Sequence, residues 1–260
     1  MDKVDQPTAP LSQGVQIPLL GFGTWQLRRR SAYEAVGWAL ESGYRHFDTA
    51  TVYRNESELG RALLDSGISR NEIFITTKLP PNRAGDERAT LEQSLDALGT
   101  DRVDLWLIHW PVDGSGLSTW EAFAKVAEEG LARSIGVSNY SLSQIDELRG
   151  TGVAPALNQI RWSPFLFDRS LLEGHRERNV VLEGYSPFRA ANLEHPVLLE
   201  VARQHEKTPA QVVLRWHLEH EIVVIPKSAR KERIEANFDV FDFSLSADEV
   251  SALDRLSGNN

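Results

Sequence analysis

The stretch RHFDTATVYRNE, residues 45–56, joins a short apolar run to a helical segment through a polar loop. The run ends at Asp48, and Tyr53 follows one short loop later. Catalytic side chains often stand at the carboxyl ends of parallel strands in barrel proteins. The stretch therefore predicts a functional edge, provided that other strands of the chain end in the same way.

Similar short apolar, β-branched runs occur eight times, and the residues between them have helical periodicity. This alternation predicts βα units around a parallel sheet, and eight units in 260 residues predict a closed (β/α)8 TIM barrel. Residues up to about Val15 are expected to form a short N-terminal hairpin that closes the bottom of the barrel. The runs are 17–23, 44–48, 72–78, 103–109, 131–137, 155–160, 180–185 and 221–226.

The alternative architecture is an open doubly wound sheet, but no G-x-G-x-x-G motif follows any of the runs. Capping signals mark the helices, because glycine is common just after a helix and serine or threonine just before one. These signals are Gly43, Gly67, Gly99, Ser141 and Thr208, with Pro209 at a first helical position. We predict one domain, residues 1–260.

Composition excludes several classes of protein. There is no cysteine, so disulfides, thiol nucleophiles and cysteine metal sites are excluded, and no metal is expected. The net charge of −9 disfavours binding to nucleic acid or anionic membranes. No window approaches the ~18 apolar residues of a membrane span, and residues 1–10 lack the apolar core of a signal peptide. A cytoplasmic protein is expected.

Polar side chains stand at or just after the ends of seven of the eight runs. In a barrel these ends meet at one mouth. The single basic cluster, PKSARKER at 226–233, follows the last run, where barrels commonly bind phosphate. The residues are Asp48, Lys78, His109, Ser138, Asn139, Gln159, Tyr185, Lys227 and Ser228.

Three of these mouth residues, together with Tyr53 from the loop after Asp48, suit carbonyl reduction. Tyrosine has an ordinary pKa near ~10, and a nearby ammonium lowers it. Lys78 supplies an ammonium that Asp48 holds in place, and a neutral His109 donates a hydrogen bond to a substrate carbonyl. Tyr53 is then a general acid that protonates the developing alkoxide.

Other interpretations remain open at this point. Taken alone, Asp48 could cap a loop, Lys78 could be a solvated charge, His109 a core histidine and Tyr53 a surface aromatic. A lyase would use Lys78 as a Schiff-base nucleophile, and a metal hydrolase would use His46, Asp48 and His109 as ligands. A non-enzymatic binding module that acts as a redox sensor is a further alternative.

The chain resembles the aldo-keto reductase family over nearly its whole length, and it looks most like short bacterial members of the 2,5-diketo-D-gluconate reductase group. The matching motifs are GFGTW (21–25), GYRHFDTAxxY (43–53), TTKL (76–79), DLWLIHWP (104–111), IGVSN (135–139), NQI (158–160), GYSP (184–187) and IPKSx₄RIx₂Nx₂VFDF (225–243).

The resemblance implies an NADPH-dependent reductase of aldehydes or ketones with an Asp48, Tyr53, Lys78 and His109 tetrad. It implies that Ser138, Asn139 and Gln159 hold the nicotinamide carboxamide and that Tyr185 stacks on the ring. It assigns Lys227, Ser228 and Arg233 to the 2′-phosphate, which favours NADPH over NADH, and Asn237 to the adenine. Further cofactor contacts are expected from Gly23, Thr24, Trp25, Asp48, Ser186, Pro187 and Phe188.

The sequence departs from the family at several points. Ala236 stands where many relatives have glutamate, so one contact to the adenine is expected to be missing. The loops after His109 and after GYSP are short. We therefore expect an open substrate pocket lined by Trp25, Tyr53, His109 and Trp110, and a monomer that takes a small carbonyl substrate.

Overall fold

The computed structural model describes residues 6–11, 14–114, 116–189 and 191–257. Eight parallel strands form one sheet in chain order, and the sheet closes on itself. At the closure Leu20 pairs in parallel with Val224, and the Gly21 amide donates to the Val224 carbonyl at 2.9 Å. The sheet is a closed barrel, so the (β/α)8 prediction is confirmed and the open sheet is wrong.

Two sets of strands make up the β structure. The antiparallel hairpin consists of β1 (Thr8–Pro10) and β2 (Gln16–Pro18). The barrel strands are β3 (Phe22–Gly23), β4 (His46–Asp48), β5 (Phe74–Leu79), β6 (Val103–Ile108), β7 (Ala132–Ser138), β8 (Leu157–Arg161), β9 (Val181–Tyr185) and β10 (Val223–Ile225).

The helices follow the strands. They are α1 (Arg30–Ser42), α2 (Glu56–Asp65), α3 (Glu87–Leu98), α4 (Leu117–Glu128), α5 (Leu142–Arg149), α6 (Arg169–Glu177), α7 (Pro196–Gln204), α8 (Pro209–Glu219), α9 (Lys231–Phe238) and α10 (Ala247–Asp254). None of the helices in the described ranges is long and apolar enough to cross a membrane.

The predicted N-terminal hairpin is present, but it extends further than expected. The run 17–23 is divided, because β2 takes its first residues and the barrel strand β3 starts only at Phe22. Pro18 at the division has no amide hydrogen with which to extend a ladder. Residues 1–5, 12 and 13 of the predicted hairpin lie outside the described residues.

The capping signals predict the helix ends well. Gly43 and Gly99 end α1 and α3 in the left-handed region, with φ of 111° and 66°. Ser141 and Thr208 each accept a hydrogen bond from the backbone amide three residues later and form capping boxes. These caps fix the helix starts that follow β7 and precede β10.

Alternation along the strands separates the outer core from the barrel interior. On the outer face, Trp106 of β6 stacks on Phe123 of α4 with ring centroids 3.7 Å apart. On the inner face, β4, β5 and β9 carry buried polar side chains, including Asp48, Lys78 and Glu183. Because all eight barrel strands run in the same direction, their carboxyl ends lie together and form one mouth, at which the interior opens.

Candidate active site

A cavity of about 560 Å³ opens at the carboxyl ends of the strands. Most of the residues that the sequence assigns to a site line this cavity. They are Gly23, Trp25, Asp48, Tyr53, His109, Trp110, Ser138, Asn139, Gln159, Tyr185, Ser186, Pro187, Phe188 and Lys227.

A few assigned residues lie elsewhere. Lys78 is fully buried behind the cavity wall, and Thr24 is buried with its hydroxyl donating to the Asp48 carbonyl at 3.0 Å. The Ser228 hydroxyl accepts a hydrogen bond from the Arg230 amide at 3.0 Å. Arg233 and Asn237 lie on α9, the first exposed and the second buried.

Lys78 and Asp48 form a buried ion pair. The Lys78 ammonium donates to both Asp48 carboxylate oxygens, at 2.6 and 2.7 Å, and to the Thr49 carbonyl at 2.7 Å. These contacts use all three N–H donors of an ammonium group. Burial alone would lower the pKa of Lys78, but the negative charge of Asp48 raises it above its ordinary value. The lysine is therefore charged and immobile.

Tyr53 lies between the Lys78–Asp48 ion pair and the cavity, which it lines. Its ring centroid is 5.2 Å from the Lys78 ammonium and 5.7 Å from the His109 ring, which it meets edge to face. Burial raises the pKa of Tyr53, and the opposing charge of Lys78 does not overcome it. The expectation that Lys78 brings this pKa below its ordinary value is thus wrong, because desolvation of the phenolate is the larger effect. Tyr53 stays protonated at neutral pH.

His109 is uncharged in this setting. Burial, followed by the nearby Lys78 charge, lowers the pKa of His109 to about 3. The residue directly follows β6, and its amide is fixed by a hydrogen bond to the Leu79 carbonyl at 2.9 Å. A neutral imidazole carries one N–H, so His109 is a single hydrogen-bond donor to a ligand in the cavity. This agrees with the neutral state expected from the sequence.

A second group of polar side chains covers the opposite part of the mouth. The Ser138 hydroxyl donates to the Gln159 carbonyl at 2.8 Å, and the Tyr185 hydroxyl donates to the Asn139 side-chain oxygen at 2.9 Å. Asn139 has a φ of 65°, in a left-handed region that asparagine tolerates better than most residues. Ser138, Asn139 and Tyr185 are therefore held in a fixed arrangement.

Several residues of the mouth escape the sequence prediction. Arg161 and Arg189 both line the cavity, and the Arg189 guanidinium lies 5.3 Å from the centroid of the Trp25 ring. Glu183 is fully buried inside the barrel next to Gln159. A signal existed for each: Glu183 interrupts an apolar strand two residues before Tyr185, Arg161 directly follows the NQI motif, and Arg189 stands two residues after the GYSP motif.

The charge lining the mouth is positive, although the protein is acidic overall. Arg161, Arg189 and Lys227 line the cavity, and within the described residues the only carboxylate that lines it is Asp48. Asp48 is neutralised by Lys78. The cavity therefore suits an anionic ligand.

The metal-hydrolase interpretation is not supported by the side-chain arrangement. Across the described ranges, no group of three or more histidine, aspartate or glutamate residues is placed to hold a metal ion. His46 instead contacts the Thr76 hydroxyl at 3.2 Å in the barrel interior. The proposed set of His46, Asp48 and His109 is not brought together as a ligand group.

Comparison with known proteins places the chain in a family. Residues 19–257 match the model of the Aldo/keto reductase family. An aldo-keto reductase of Mycolicibacterium smegmatis is 43% identical over 253 residues, covering 95% of this chain and 92% of that protein. The crystal structure of an aldo/keto reductase from Brucella melitensis superposes with a TM-score of 0.92 at 43% identity, over 97% of this chain and all of that one.

A more distant structure is equally similar in shape. The Bombyx mori aldo-keto reductase in complex with NADP gives a TM-score of 0.91 at 33% identity, over 99% of this chain and 94% of that one. The chain therefore belongs to the aldo/keto reductase family and is an oxidoreductase.

Proposed function

We propose that this protein reduces aldehydes or ketones to alcohols with NADPH, and that Asp48, Tyr53, Lys78 and His109 are its catalytic tetrad. The observation that carries the proposal is the buried Lys78 ammonium, held by Asp48 and lying 5.2 Å from the Tyr53 ring at the base of the cavity. A protonated tyrosine beside a fixed cation suits proton donation to a developing alkoxide.

The cationic mouth supports a phosphate-bearing cofactor, and NADP(H) is the cofactor of this family. Lys227 is exposed just before α9, where the helix N-terminus adds a favourable field for phosphate. Lys227, Ser228 and Arg233 would hold the 2′-phosphate, and Asn237 would contact the adenine.

Other residues would hold the nicotinamide end. Ser138, Asn139 and Gln159 would bind the carboxamide, and Tyr185 would pack on the ring. The remaining walls of the cofactor site would come from Gly23, Thr24, Trp25, Asp48, Ser186, Pro187 and Phe188.

The tetrad divides the chemistry among its members. Bound NADPH supplies the hydride that reduces the carbonyl carbon. His109 donates its N–H to the carbonyl oxygen and fixes the carbonyl in place. Tyr53 gives its phenolic proton to that oxygen, and the Lys78 charge offsets the phenolate that forms. Asp48 keeps Lys78 charged and still.

The lyase alternative receives little support. A Schiff-base lysine must expose an uncharged amine to its substrate. Lys78 has no exposed surface, and the Asp48 carboxylate and Thr49 carbonyl occupy its donors.

The substrate side of the pocket is open and aromatic. Trp25 and Trp110 line it and are 39% and 49% exposed, and Tyr53 and His109 form its floor. Aldehydes, α-keto esters, diketones and keto-sugars all fit such a pocket. Four expectations from the sequence remain predictions: membership of the 2,5-diketo-D-gluconate reductase group, a single domain over residues 1–260, a monomeric state and a cytoplasmic location.

A turnover assay tests the proposed function. Purified protein is mixed with NADPH and an aromatic aldehyde, nicotinamide oxidation is followed by absorbance, and the alcohol is identified by mass spectrometry. With deuterium-labelled NADPH, the label is expected on the carbinol carbon. NADPH binding without turnover of any aldehyde or ketone in a broad panel would favour the redox-sensor alternative, and absence of NADPH binding would overturn the proposal.

A further inference from the structure

Glu183 is a buried carboxylic acid to which the proposed mechanism gives no role. It lies in the middle of β9, two residues before Tyr185, and has no exposed surface. Strand alternation directs both side chains into the barrel. Carboxyl groups are rarely this deeply buried without a partner, so its neighbours are informative.

The Gln159 side chain joins Glu183 to the tetrad. Its amide nitrogen lies 2.8 Å from a carboxylate oxygen of Asp48 and 3.0 Å from a carboxyl oxygen of Glu183. An amide nitrogen has two hydrogens, so these contacts use both of its donors. The amide carbonyl oxygen is then the polar atom that Gln159 has left for the cavity, which it lines.

The orientation of this amide depends on Glu183. If the amide turned over, its carbonyl oxygen would face the negatively charged Asp48 and Glu183 would lose its donor. With only Asp48 as a partner, the amide nitrogen would keep one fixed hydrogen and the side chain would have greater rotational freedom. The charge of Asp48 therefore sets the direction of the amide, and the second carboxyl group fixes its tilt.

The charge of Glu183 also matters to the site. Burial, and then the negative charge of Asp48, raises the pKa of Glu183 to about 8. The groups that face it are Asp48 and Lys78, with the His46 ring nitrogen 3.9 Å away. His217 of α8 packs on the opposite side of β9 at Gly184. At neutral pH the carboxyl group is largely protonated, and the charges of Asp48 and Lys78 balance.

We infer that Glu183 is a positioning residue of the cofactor site, which through Gln159 presents an amide carbonyl oxygen to the nicotinamide carboxamide. The inference rests on the proposed function, because it assumes that this mouth binds a nicotinamide. It has a second consequence. Ionised Glu183 adds a buried negative charge directly behind Gln159, so it would favour the cationic ring of NADP⁺ over the neutral ring of NADPH.

Two variants separate these roles. Glu183→Gln keeps an oxygen that accepts from Gln159 but cannot ionise, whereas Glu183→Leu removes the acceptor. Glu87→Leu is the matched control, because Glu87 is a buried carboxylate that accepts from Thr119 at 2.9 Å between outer helices. Dissociation constants of NADPH and NADP⁺ are measured by tryptophan fluorescence, and thermal unfolding is recorded for each variant.

Glu183→Leu is expected to weaken NADPH binding about tenfold, while Glu87→Leu leaves the dissociation constant unchanged even if it lowers the melting temperature. At pH 7, Glu183→Gln is expected to bind NADPH like the wild type. Wild-type NADPH affinity in Glu183→Leu would overturn the positioning role. No NADPH binding by the wild type would instead overturn the proposed function.

The pH dependence gives a readout that folding defects do not reproduce. Between pH 7 and pH 9 the ratio of the NADPH and NADP⁺ dissociation constants is expected to rise about threefold or more in the wild type. In Glu183→Gln it should stay flat. Both cofactors carry the 2′-phosphate, so its titration changes both dissociation constants alike and does not change their ratio. If Glu183→Leu does not fold, Glu183→Met takes its place in the NADPH-binding test of the positioning role. A rise in Glu183→Gln equal to that of the wild type would overturn the charge effect of Glu183.

Discussion

The Lys78 ammonium lies 2.6 and 2.7 Å from the two carboxylate oxygens of Asp48, and both side chains are buried in the barrel. Removing two charges from water has a large free-energy cost, and a pair with good geometry offsets much of it. The pair therefore adds little net stability, but loss of either partner leaves an uncompensated buried charge. Function rather than stability is the better explanation for its presence in the core.

Asp48→Asn should destabilise the protein by about 3–5 kcal/mol, because it leaves the Lys78 ammonium without a counter-charge. The double variant Asp48→Asn/Lys78→Met should recover much of that free energy of unfolding while remaining inactive. Urea unfolding measures both. As a control, Asp101→Asn changes an aspartate whose side chain is 81% exposed and should be neutral. A fully stable single variant would contradict the buried-charge account.

Lys227→Ala should weaken NADPH binding much more than NADH binding, since only NADPH carries the 2′-phosphate. A direct charged contact is commonly worth about 1.5–3 kcal/mol, or roughly 10- to 100-fold in affinity. Titration of each cofactor checks this prediction. Lys125→Ala removes an exposed lysine from the outer helix α4 and should change neither affinity. Equal losses of NADPH and NADH affinity in Lys227→Ala would remove Lys227 from the phosphate site.

The pH profile of reduction tests the state of His109. Burial and the nearby Lys78 charge lower the pKa of His109 to about 3, so the ring is neutral from pH 5 to pH 7 and gains a proton only at lower pH. The turnover number at saturating substrate should therefore vary by less than about twofold across that range. An inflection near the ordinary histidine pKa, lost in His109→Gln, would show that this ring does titrate there.

Replacing Glu183 by glutamine should change how stability depends on pH. Burial raises the pKa of Glu183 from its ordinary value of 4.5 to about 8 in the folded protein, so between these two values the folded state keeps a proton that the unfolded state loses. Wild-type stability therefore falls as pH rises through that window, by at most about 1.4 kcal/mol per pH unit.

Glu183→Gln has no such proton to lose, so its stability relative to the wild type should increase between pH 5 and pH 8. Chemical denaturation of both proteins at these two pH values measures the difference. A difference that does not change with pH would mean that Glu183 is ionised in the folded protein at pH 5, contrary to its raised pKa.

Much of the fold follows from local signals in the sequence. The eight βα units show as alternating apolar runs and helical periodicity, and Gly43, Gly99 and Ser141 mark helix ends that the structure confirms. The boundary between hairpin and barrel was harder to predict, because residues 17–23 form one continuous apolar run. Its division depends on pairing with β1 and β10, which are distant in the sequence.

The site was predictable where strand ends carry polar residues. Asp48, Lys78 and His109 follow this rule, and the structure places them around one cavity or directly behind it. Glu183 does not follow this rule, because it lies inside a strand. Its importance comes from a contact with Gln159 on the neighbouring strand. The direction of the Tyr53 pKa was also missed, since it depends on how burial and the Lys78 charge compete in three dimensions.

The central claim is that Tyr53 donates the proton, and the comparison of Tyr53→Phe with Tyr44→Phe tests it most directly. Tyr44 is a fully buried tyrosine packed against Phe238 of α9, outside the cavity lining, so its variant controls for loss of a buried hydroxyl. Single-turnover oxidation of bound NADPH by an aromatic aldehyde is measured for both. Tyr53→Phe should bind NADPH normally and reduce the aldehyde ~10²–10⁴-fold more slowly, while Tyr44→Phe stays near the wild-type rate. A Tyr53→Phe rate equal to that of the wild type would contradict the account.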